Sequence, residues 1–217
     1  MKDSSFANVS KSVISRLPRY YRFLTMLQED GVERISSSEL SQLLGTTSSQ
    51  IRQDFNCFGP FGQQGYGYNV EQLKSEISRI IGLDNRYKII LIGAGNLGNA
   101  IATHFDFTKK GFELVGIFDI SPKIIGKTIA DLVVTDFEKI DEFCAQNSPT
   151  AAILTMTEGV VKQVVQRLID NGVTSFWNFS HYDINGDFKD VIVQNVHLND
   201  SLMTLCYDIT NRKSEKE

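Results

Sequence analysis

The spacing of apolar residues divides the chain into an N-terminal part with helical periods and a C-terminal part with alternating strands and helices. In the N-terminal part, apolar residues recur at helical spacing over Val13–Leu27 and over residues 70–81, so both stretches are predicted to be helices. Pro18 lies inside the first stretch, and we therefore expect Leu17 to lie near the helix start or at a local break. A polar turn over residues 82–86 then marks a predicted domain boundary.

Two shorter helices are predicted between these two, joined by a tight turn. A serine N-cap before Leu40 begins the first helix, Gly45 is a natural helix stop, and candidate caps from Thr47 onward begin the second. A helix, a short glycine-containing turn and a helix form the helix-turn-helix pattern. The glycine- and aromatic-rich stretch over residues 58–68 then predicts a hairpin. Residues 1–82 are therefore predicted to form a winged-helix domain.

The C-terminal part has the pattern of a doubly wound α/β domain. Strands are predicted at Tyr87–Ile92, Phe112–Phe118, around Val133, Ala151–Met156, Ser175–Phe179 and Val191–Val196. Helices are predicted at about residues 97–106, 136–146 and 159–171, with a further one over Leu198–Thr210. Alternating strands and helices predict βαβ units and a parallel sheet. The predicted fold is therefore α/β, with a winged helix-turn-helix domain, a Rossmann-type domain over residues 83–196, and a C-terminal helix and tail over residues 197–217.

One motif in this part carries chemistry, a buried strand that leads into G-x-G-x-x-G and then a helix. Gly93 allows the tight turn, Gly95 lets a pyrophosphate approach the backbone, and Gly98 lets the helix pack close to the strand. The helix N-terminus offers free N–H groups to the phosphates. Asp119 ends the second strand, 21 positions after Gly98, where its carboxylate can accept both ribose hydroxyls and would repel a 2′-phosphate. NAD(H) is therefore favoured over NADP(H), although a scaffold that has lost its ligand or binds another adenosyl compound would share the motif.

Composition and charge narrow the class of protein. The chain has 217 residues, 41% hydrophobic, with 22 basic and 26 acidic side chains, which is ordinary for a globular protein. No apolar run approaches the ~20 residues of a membrane span, and the N-terminus has no apolar signal core. Three distant cysteines, without metal-ligand spacing, favour a reducing cytoplasm. None of the three histidines lies in a recognisable catalytic motif, so we predict neither catalytic residues nor a metal site.

The two halves together resemble the Rex family of redox-sensing transcriptional repressors over about residues 9–210. The segments that carry the resemblance are RLPRYYRFL (Arg16–Leu24), ISSSEL (Ile35–Leu40), SSQIRQDFNCFGPFGQQGYGYNV (Ser48–Val70), LIGAGNLGNA (Leu91–Ala100), FDISPKIIGK (Phe118–Lys127) and NFS (Asn178–Ser180). The resemblance implies a homodimer with a swapped C-terminal helix, which binds double-stranded DNA at an inverted-repeat operator. It also implies that NADH binding releases the operator, whereas NAD⁺ permits DNA binding.

In such a protein, the helix that starts near Ser48 would be the recognition helix in the major groove. Gln50 can pair with adenine and Arg52 with guanine, although either residue could instead contact phosphate or face solvent. Asp54 is expected to orient an arginine, since a carboxylate repels phosphate. The candidate DNA-contacting residues are Lys11, Arg16, Arg19, Ser48, Ser49, Gln50, Arg52, Gln63, Gln64 and Tyr66. For Arg16 a place at the domain interface is the alternative, and for Tyr66 packing against the hairpin is the favoured one.

The candidate cofactor site departs from the family pattern. His104 stands where the family often has a tyrosine, and His197 where it often has an acid, so both are candidates for the redox switch. Thr157 and Asn178 are predicted near the nicotinamide. The candidate cofactor-binding residues are Gly93, Ala94, Gly95, Asn96, Leu97, Gly98, Asp119, Thr157 and Asn178. The departures leave open a paralogue with a weakened or lost redox response, and less favoured is a small NAD-dependent oxidoreductase whose N-terminal domain only dimerises.

Overall fold

The computed structural model of the chain describes residues 9–59, 62–63 and 66–214. The chain divides into two compact units, Met1–Asp84 and Asn85–Glu217. The division falls within the polar turn over residues 82–86.

The N-terminal unit is a winged helix. Its helices are α1 (Lys11–Glu29), α2 (Ser37–Leu44), α3 (Ser48–Asn56) and α4 (Val70–Ile81), and its strands are β1 (Arg34–Ile35), β2 (Gly62–Gln63) and β3 (Gly67–Asn69). The strands form an antiparallel sheet in the order β1-β3-β2. The predicted helix-turn-helix and hairpin are both confirmed, whereas the two-residue strand β1 was too short to show a period in the sequence.

The helix-turn-helix is set by local chemistry. Ser36 and Glu39 form a reciprocal capping box at the start of α2, which satisfies two otherwise free backbone N–H groups. Gly45 then ends α2 with a φ of 60°, a left-handed conformation that favours glycine. The Thr47 side chain accepts a hydrogen bond from Gln50 N at 3.2 Å and so begins α3.

Helix α1 corrects one expectation. It begins at Lys11, with Ser10 as its N-cap, and it continues through Pro18. The expected start or break at Leu17 is therefore wrong. Proline removes one helical hydrogen bond and its ring crowds the preceding turn. The buried apolar face of the helix, which includes Leu17 and Leu24, offsets that cost by packing into the unit's core.

The C-terminal unit is built on one seven-stranded sheet. Its strands are β4 (Tyr87–Ile92), β5 (Phe112–Asp119), β6 (Thr128–Ile129), β7 (Leu132–Asp136), β8 (Ala151–Leu154), β9 (Ser175–Asn178) and β10 (Ile192–Asn195). Its helices are α5 (Asn96–His104), α6 (Ile140–Asn147), α7 (Glu158–Asp170), α8 (Ile184–Asp187) and α9 (Leu198–Ser214). The six predicted strands are all present, and the sequence did not predict the short elements β6 and α8.

The strand order is β10-β9-β8-β4-β5-β7-β6, parallel throughout except for the edge strand β6. Along the chain, β5 and β7 are added on one side of β4, and β8, β9 and β10 are then added on its other side. The loops after β4 and β8 therefore leave the sheet side by side and in opposite directions. In open α/β sheets, this switch point at the carboxyl ends of the strands is where ligands bind.

The sheet core explains why its central strands appear as continuous apolar runs. One face of the sheet, including Ile90 and Leu154, packs with the apolar faces of α6 and α7. The other face, including Ile89 and Leu91, packs with α5. A strand that is buried on both faces cannot alternate apolar and polar residues.

Helix α9 is exposed along the length for which burial is described, residues 198–212. Its exposed apolar side chains include Leu198, Leu202, Leu205 and Ile209, which recur at helical spacing. The helix ends four residues beyond the predicted end at Thr210. In the described part of the chain, no helix has the length and apolar character that crossing a membrane requires.

Candidate dinucleotide and nucleic-acid sites

The glycine loop after β4 depends on the absence of side chains at two positions. Gly93 has a φ of 98°, and a Cβ there would lie 3.1 Å from the Thr155 carbonyl carbon. A Cβ at Gly98 would lie 2.0 Å from Gly93 O, a distance that the backbone cannot accommodate. At Gly95, by contrast, a Cβ would meet no atom within 4 Å. Gly93 and Gly98 are therefore required by packing, whereas Gly95 leaves open surface at the start of α5.

The N-terminus of α5 has the features of an anion site. Gly95 is its N-cap, which offers no side chain to the free N–H groups, and the first turn has no acidic residue. Gly95, Asn96 and Leu97 are exposed, so these N–H groups lie beside open surface. Together with the partial positive charge of the helix end, they can bind a phosphate.

Asp119, at the end of β5, ties this loop to the next one. Its Oδ2 accepts a hydrogen bond from Ala94 N at 2.7 Å, and its Oδ1 accepts one from Ser121 N at 2.8 Å. A carboxylate has about four acceptor positions, so lone pairs remain for the two ribose hydroxyls. The sequence predicts that Asp119 binds the ribose, and the structure shows that the same carboxylate also holds the backbone of the glycine loop.

Thr155, which follows β8, is a residue that the sequence analysis missed. Its hydroxyl donates to Gly93 O at 2.6 Å and also lies 3.1 Å from Ile92 O. It therefore holds the turn of the glycine loop from the neighbouring strand. A lone threonine gives no sequence signal for this role, because the contact depends on β4 and β8 being adjacent. Thr157, two residues further, is exposed at the N-cap of α7 and makes no side-chain cap bond.

Asn178 is buried and its amide is fully occupied. The two N–H groups of Nδ2 donate to Tyr182 O and to Asn195 Oδ1, while Oδ1 accepts from the backbone N–H and the hydroxyl of Ser180. An amide has two donors and two acceptor lone pairs, so none is left for a ligand. The geometry therefore favours support of the loop after β9 over the direct cofactor contact that we expected.

The candidate switch histidines do not share one environment. His104 is the exposed last residue of α5, and His197 is half-buried just before α9. The His197 ring lies parallel to that of His181, with an interplanar angle of 6° and ring centroids 5.9 Å apart. His181 follows β9, so the pair connects the loops after β9 and β10. The sequence analysis named His104 and His197 but gave no reason to expect His181 beside His197.

In the N-terminal unit, the predicted recognition helix α3 is tied to α1 by the fully buried carboxylate of Asp54. Arg16 donates from Nε to Oδ2 at 2.6 Å and from Nη2 to Oδ1 at 2.7 Å. The Tyr20 hydroxyl donates to Oδ2 at 2.6 Å, and Gln50 Nε2 donates to Oδ1 at 2.8 Å. We call these four residues the Asp54 cluster. The expected role of Asp54 as an orienting partner for an arginine is confirmed by this geometry.

The Asp54 cluster shifts the pKa values of its members. Burial by itself raises the pKa of Asp54, but the hydrogen bonds from Arg16, Tyr20 and Gln50 outweigh it, so the net pKa lies below its usual value. Burial, followed by the hydrogen bond to Asp54, raises the pKa of Tyr20. Asp54 and Arg16 of this cluster therefore form an ion pair at neutral pH.

The remaining candidate DNA contacts lie at the surface of this unit. Lys11, Arg19, Ser49 and Arg52 are exposed and Ser48 is half-buried. Four of these side chains have partners within the unit. Arg19 Nη2 donates to Leu44 O at 2.7 Å, and Arg52 Nη1 donates to Ser37 Oγ at 3.0 Å. The hydroxyls of Ser48 and Ser49 each lie 3.1 Å from another hydroxyl, those of Ser41 and Thr47.

In the hairpin, Tyr66 is 70% exposed, whereas Tyr68 packs edge-on against Phe55 at a centroid distance of 5.2 Å. The favoured packing role for Tyr66 is therefore wrong, and its side chain is available at the surface. The structure describes Gln63 as strand backbone only, and Gln64 lies outside the described residues.

A winged helix followed by a sheet of the dinucleotide-binding type is the architecture of a DNA-binding regulator that responds to a ligand. Residues 8–56 match the family "Putative DNA-binding protein N-terminus", and residues 84–182 match the family "CoA binding domain". The chain is 49% identical over 200 residues to the redox-sensing transcriptional repressor Rex of Clostridium novyi, covering 92% of this chain and 95% of that one. It is 50% identical over 209 residues to Rex of Caldanaerobacter subterraneus subsp. tengcongensis, covering 96% and 93%. The chain therefore belongs to the Rex family of redox-sensing transcriptional repressors.

Solved structures of a Rex-family repressor, RSP, agree with this assignment. The structure of RSP in complex with β-NAD⁺ and operator DNA is 48% identical, with a TM-score of 0.88, and the match covers 96% of this chain and 95% of that chain. The structure of RSP in complex with β-NADH is 45% identical, also with a TM-score of 0.88, and the match covers 96% and 98%. The predicted fold class, a winged helix followed by a Rossmann-type sheet, is thus confirmed.

Proposed function

We propose that this chain is a homodimeric repressor that binds double-stranded operator DNA through its winged helix and leaves the operator when NADH binds the Rossmann-type unit. The observation that carries the proposal is the presence, in one chain, of an open glycine loop with Asp119 and of a helix-turn-helix. RSP, which this chain resembles over nearly its full length, has been solved with NADH and with NAD⁺ and operator DNA.

The nucleotide site supports NAD(H) as the ligand. The exposed N-terminus of α5 can bind the pyrophosphate, and Asp119 can bind the adenosine ribose while repelling a 2′-phosphate. Gly93, Ala94, Gly95, Asn96, Leu97 and Gly98 form the loop in this proposal, and Thr157 lies near the nicotinamide. Among the residues that the structure describes, no group of three acidic, histidine or cysteine side chains could hold a metal ion.

The DNA-binding surface in this proposal is α3 with the N-terminus of α1 and the wing. Ser49, Gln50 and Arg52 lie on α3, where they can reach base edges, while Lys11 and Arg19 on α1 can contact phosphates. Tyr66, exposed in the wing, completes the set together with Gln63 and Gln64, whose charge-free side chains would weaken the grip on phosphate.

The dimer is supported by two apolar surfaces of the C-terminal unit. One is the exposed apolar stripe of α9. The other is a groove of about 690 Å³ at the amino ends of the sheet strands, which is lined mainly by aromatic and apolar side chains. The aromatic residues in this groove are Tyr87, Phe105, Phe107, Phe112, Phe176 and Trp177. Contiguous exposed apolar surfaces mark interaction sites, and in a symmetric dimer a second copy of the chain supplies a partner for each.

We also infer that the protein acts in the cytoplasm and as a regulator, without catalysing a reaction. The three cysteines are free, as expected in a reducing compartment. The Rex relatives are named as transcriptional repressors. A steady-state assay of NADH consumption with hydroxy acids and aldehydes tests the second inference, and turnover would overturn it.

The central experiment is fluorescence anisotropy of a labelled inverted-repeat operator duplex with the full chain, titrated with NADH and then with NAD⁺. We expect NADH to release the duplex at low concentration and NAD⁺ to leave it bound. An affinity for the operator no higher than that for a scrambled duplex would overturn the repressor function itself.

The parallel rings of His181 and His197 favour one alternative, a repressor with a weakened redox response. Two imidazole rings near the predicted nicotinamide end add polar groups to the region that must distinguish a neutral from a cationic nicotinamide ring. Tight operator binding that is indifferent to NADH would support this alternative over the redox sensor.

A further inference from the structure

Gln50 is held by Asp54 in one orientation of its side-chain amide. Gln50 Nε2 lies 2.8 Å from Asp54 Oδ1, within the first two turns of α3. An ionised carboxylate only accepts hydrogen bonds, so the atom of the amide that faces it must be the nitrogen. The low pKa of Asp54 keeps the carboxylate ionised at neutral pH, so this constraint holds under physiological conditions.

The carboxylate itself cannot move to accommodate another orientation. It is fully buried, and Arg16 holds it with two hydrogen bonds while Tyr20 holds it with a third. The anchor of Gln50 is thus fixed by α1, outside the recognition helix.

The outward edge of the Gln50 amide is therefore determined as well. Gln50 is half-buried, and among the described residues no donor reaches its Oε1. The edge that remains consists of Oε1 as an acceptor and the second N–H of Nε2 as a donor. In the major groove, adenine presents the matching pair, with the N6 amino group as donor and N7 as acceptor, whereas guanine presents two acceptors.

We propose that Asp54 is a positioning residue for sequence readout, which fixes the Gln50 amide so that this position of α3 selects adenine over guanine. The inference rests on the proposed contact of α3 with the operator and deepens it. If Asp54 did not fix the amide, Gln50 could turn by 180° and offer its N–H groups to guanine.

The test compares full-length variants on a panel of operator duplexes, each with one A·T pair replaced by G·C in both half-sites. For each protein, the ratio of affinities for the parent and the replaced duplex is measured by anisotropy. We expect the wild type to prefer adenine at one position by roughly 10-fold or more, since a good bidentate pair discriminates on that order. Q50L, D54N and the double variant should lose that preference to the same extent. Gln72 lies on α4, outside the proposed contacts, so the variant Q72L serves as the matched control and should retain the preference for adenine.

Two outcomes would overturn the proposal. If D54N weakens binding to every duplex equally and keeps the preference, Asp54 has only a structural role. If Q50L keeps the preference, Gln50 does not read the operator. In either case the proposed function stands as long as the wild type still distinguishes operator from scrambled duplex.

D54N could fold poorly because Arg16 would lose its charged partner, and Q50E covers that outcome. This variant keeps the outward oxygen for adenine and leaves the ion pair of Asp54 and Arg16 in place. It removes both N–H groups of the amide, the one that donates to Asp54 and the one that would donate to adenine N7, so we expect the preference at that position to be lost as in Q50L. Retention of the preference in Q50E would contradict the anchoring role of Asp54.

Discussion

In the N-terminal unit, helix α3 is oriented by an ion pair with a buried carboxylate, whereas in the C-terminal unit the glycine loop is positioned mainly by close backbone packing, which hydrogen bonds of Asp119 and Thr155 support. Asp54 gathers Arg16, Tyr20 and Gln50 around one buried carboxylate. The glycine loop instead relies on close approach at Gly98. A charged anchor depends on ionisation and on every partner being present, while a steric anchor depends only on volume. The two sites should therefore fail under different perturbations.

The largest expected effect comes from adding volume to the steric anchor. In Gly98→Ala, the new Cβ would lie 2.0 Å from Gly93 O, so α5 or the loop must move away from the phosphate position. We expect the affinity for NADH to fall by roughly 100-fold or more, equivalent to about 3 kcal/mol, the upper range for overpacking. Isothermal titration with NADH measures the loss, and operator binding should no longer respond to NADH.

Gly159→Ala is the matched control for stability in the same unit, because a Cβ at Gly159 meets no atom within 4 Å. Because alanine favours a helix more than glycine does, it should leave the unfolding midpoint unchanged or raise it slightly. Unaltered NADH affinity in Gly98→Ala would show that the loop is not held by volume, and the contrast between the two sites would then fail.

The next largest effect comes from removing the charged anchor. Asp54→Ala leaves Arg16 without its partner. Breaking a fully buried ion pair costs about 3–5 kcal/mol, and because the Arg16 side chain is 35% exposed we expect a smaller loss of about 2–3 kcal/mol. We expect a matching fall in the free energy of unfolding in urea and loss of operator binding, while NADH affinity is retained. Asp106→Ala breaks an exposed pair with Lys109 and should cost less than about 1 kcal/mol. Equal costs for the two variants would contradict the importance of burial.

The same carboxylate predicts how the stability depends on acid. The pKa of Asp54 is lower in the folded than in the unfolded protein, so its contribution is present above the unfolded pKa of about 3.9. It is lost as the pH falls through the lower, folded pKa. Urea unfolding between pH 7 and pH 3 should therefore show a free energy of unfolding that begins to fall below about pH 4 and falls more steeply than in Asp54→Ala. A wild-type profile as flat as that of Asp54→Ala would contradict it.

Tyr20→Phe weakens the charged anchor without removing it. The ring keeps its edge-on contact with Phe55, at a centroid distance of 5.1 Å, and only the hydrogen bond to Asp54 is lost. A hydrogen bond to a charged group contributes about 1.5–3 kcal/mol, so we expect a fall of about 2 kcal/mol at pH 7.

The pKa of Tyr20 is raised on folding, so its contribution is complete below the unfolded pKa of about 10 and is lost as the pH rises through the folded value. Urea unfolding should show that the difference in the free energy of unfolding between the wild type and Tyr20→Phe is smaller above pH 10 than at pH 7. A difference that persists unchanged would point to packing and not to the hydrogen bond.

The contrast between the two sites also explains what could be predicted from the sequence. The glycine loop acts through consecutive residues, so G-x-G-x-x-G and the following helix identify it locally. The Asp54 cluster joins Arg16 and Asp54 across 38 positions, and only the packing of α1 on α3 brings them together. Likewise, Asn178 appeared to be a ligand residue, because one of its partners, Asn195, comes from another strand. Local motifs were thus predictable, and so was the kind of partner for Asp54, an arginine, whereas the identity of the long-range hydrogen-bond partners was not.

The smallest expected effect tests whether the steric anchor also has a polar component. Thr155→Val keeps the shape of the side chain but leaves Gly93 O without the hydroxyl that lies 2.6 Å away. A neutral hydrogen bond contributes about 1 kcal/mol, so we expect NADH affinity to fall by roughly 5-fold, measured by titration. Thr155→Ser retains the hydroxyl and should stay close to the wild type. If Thr155→Ser loses affinity while Thr155→Val keeps it, the methyl group and not the hydroxyl of Thr155 supports the loop, and the polar component of the anchor would then rest on Asp119 alone.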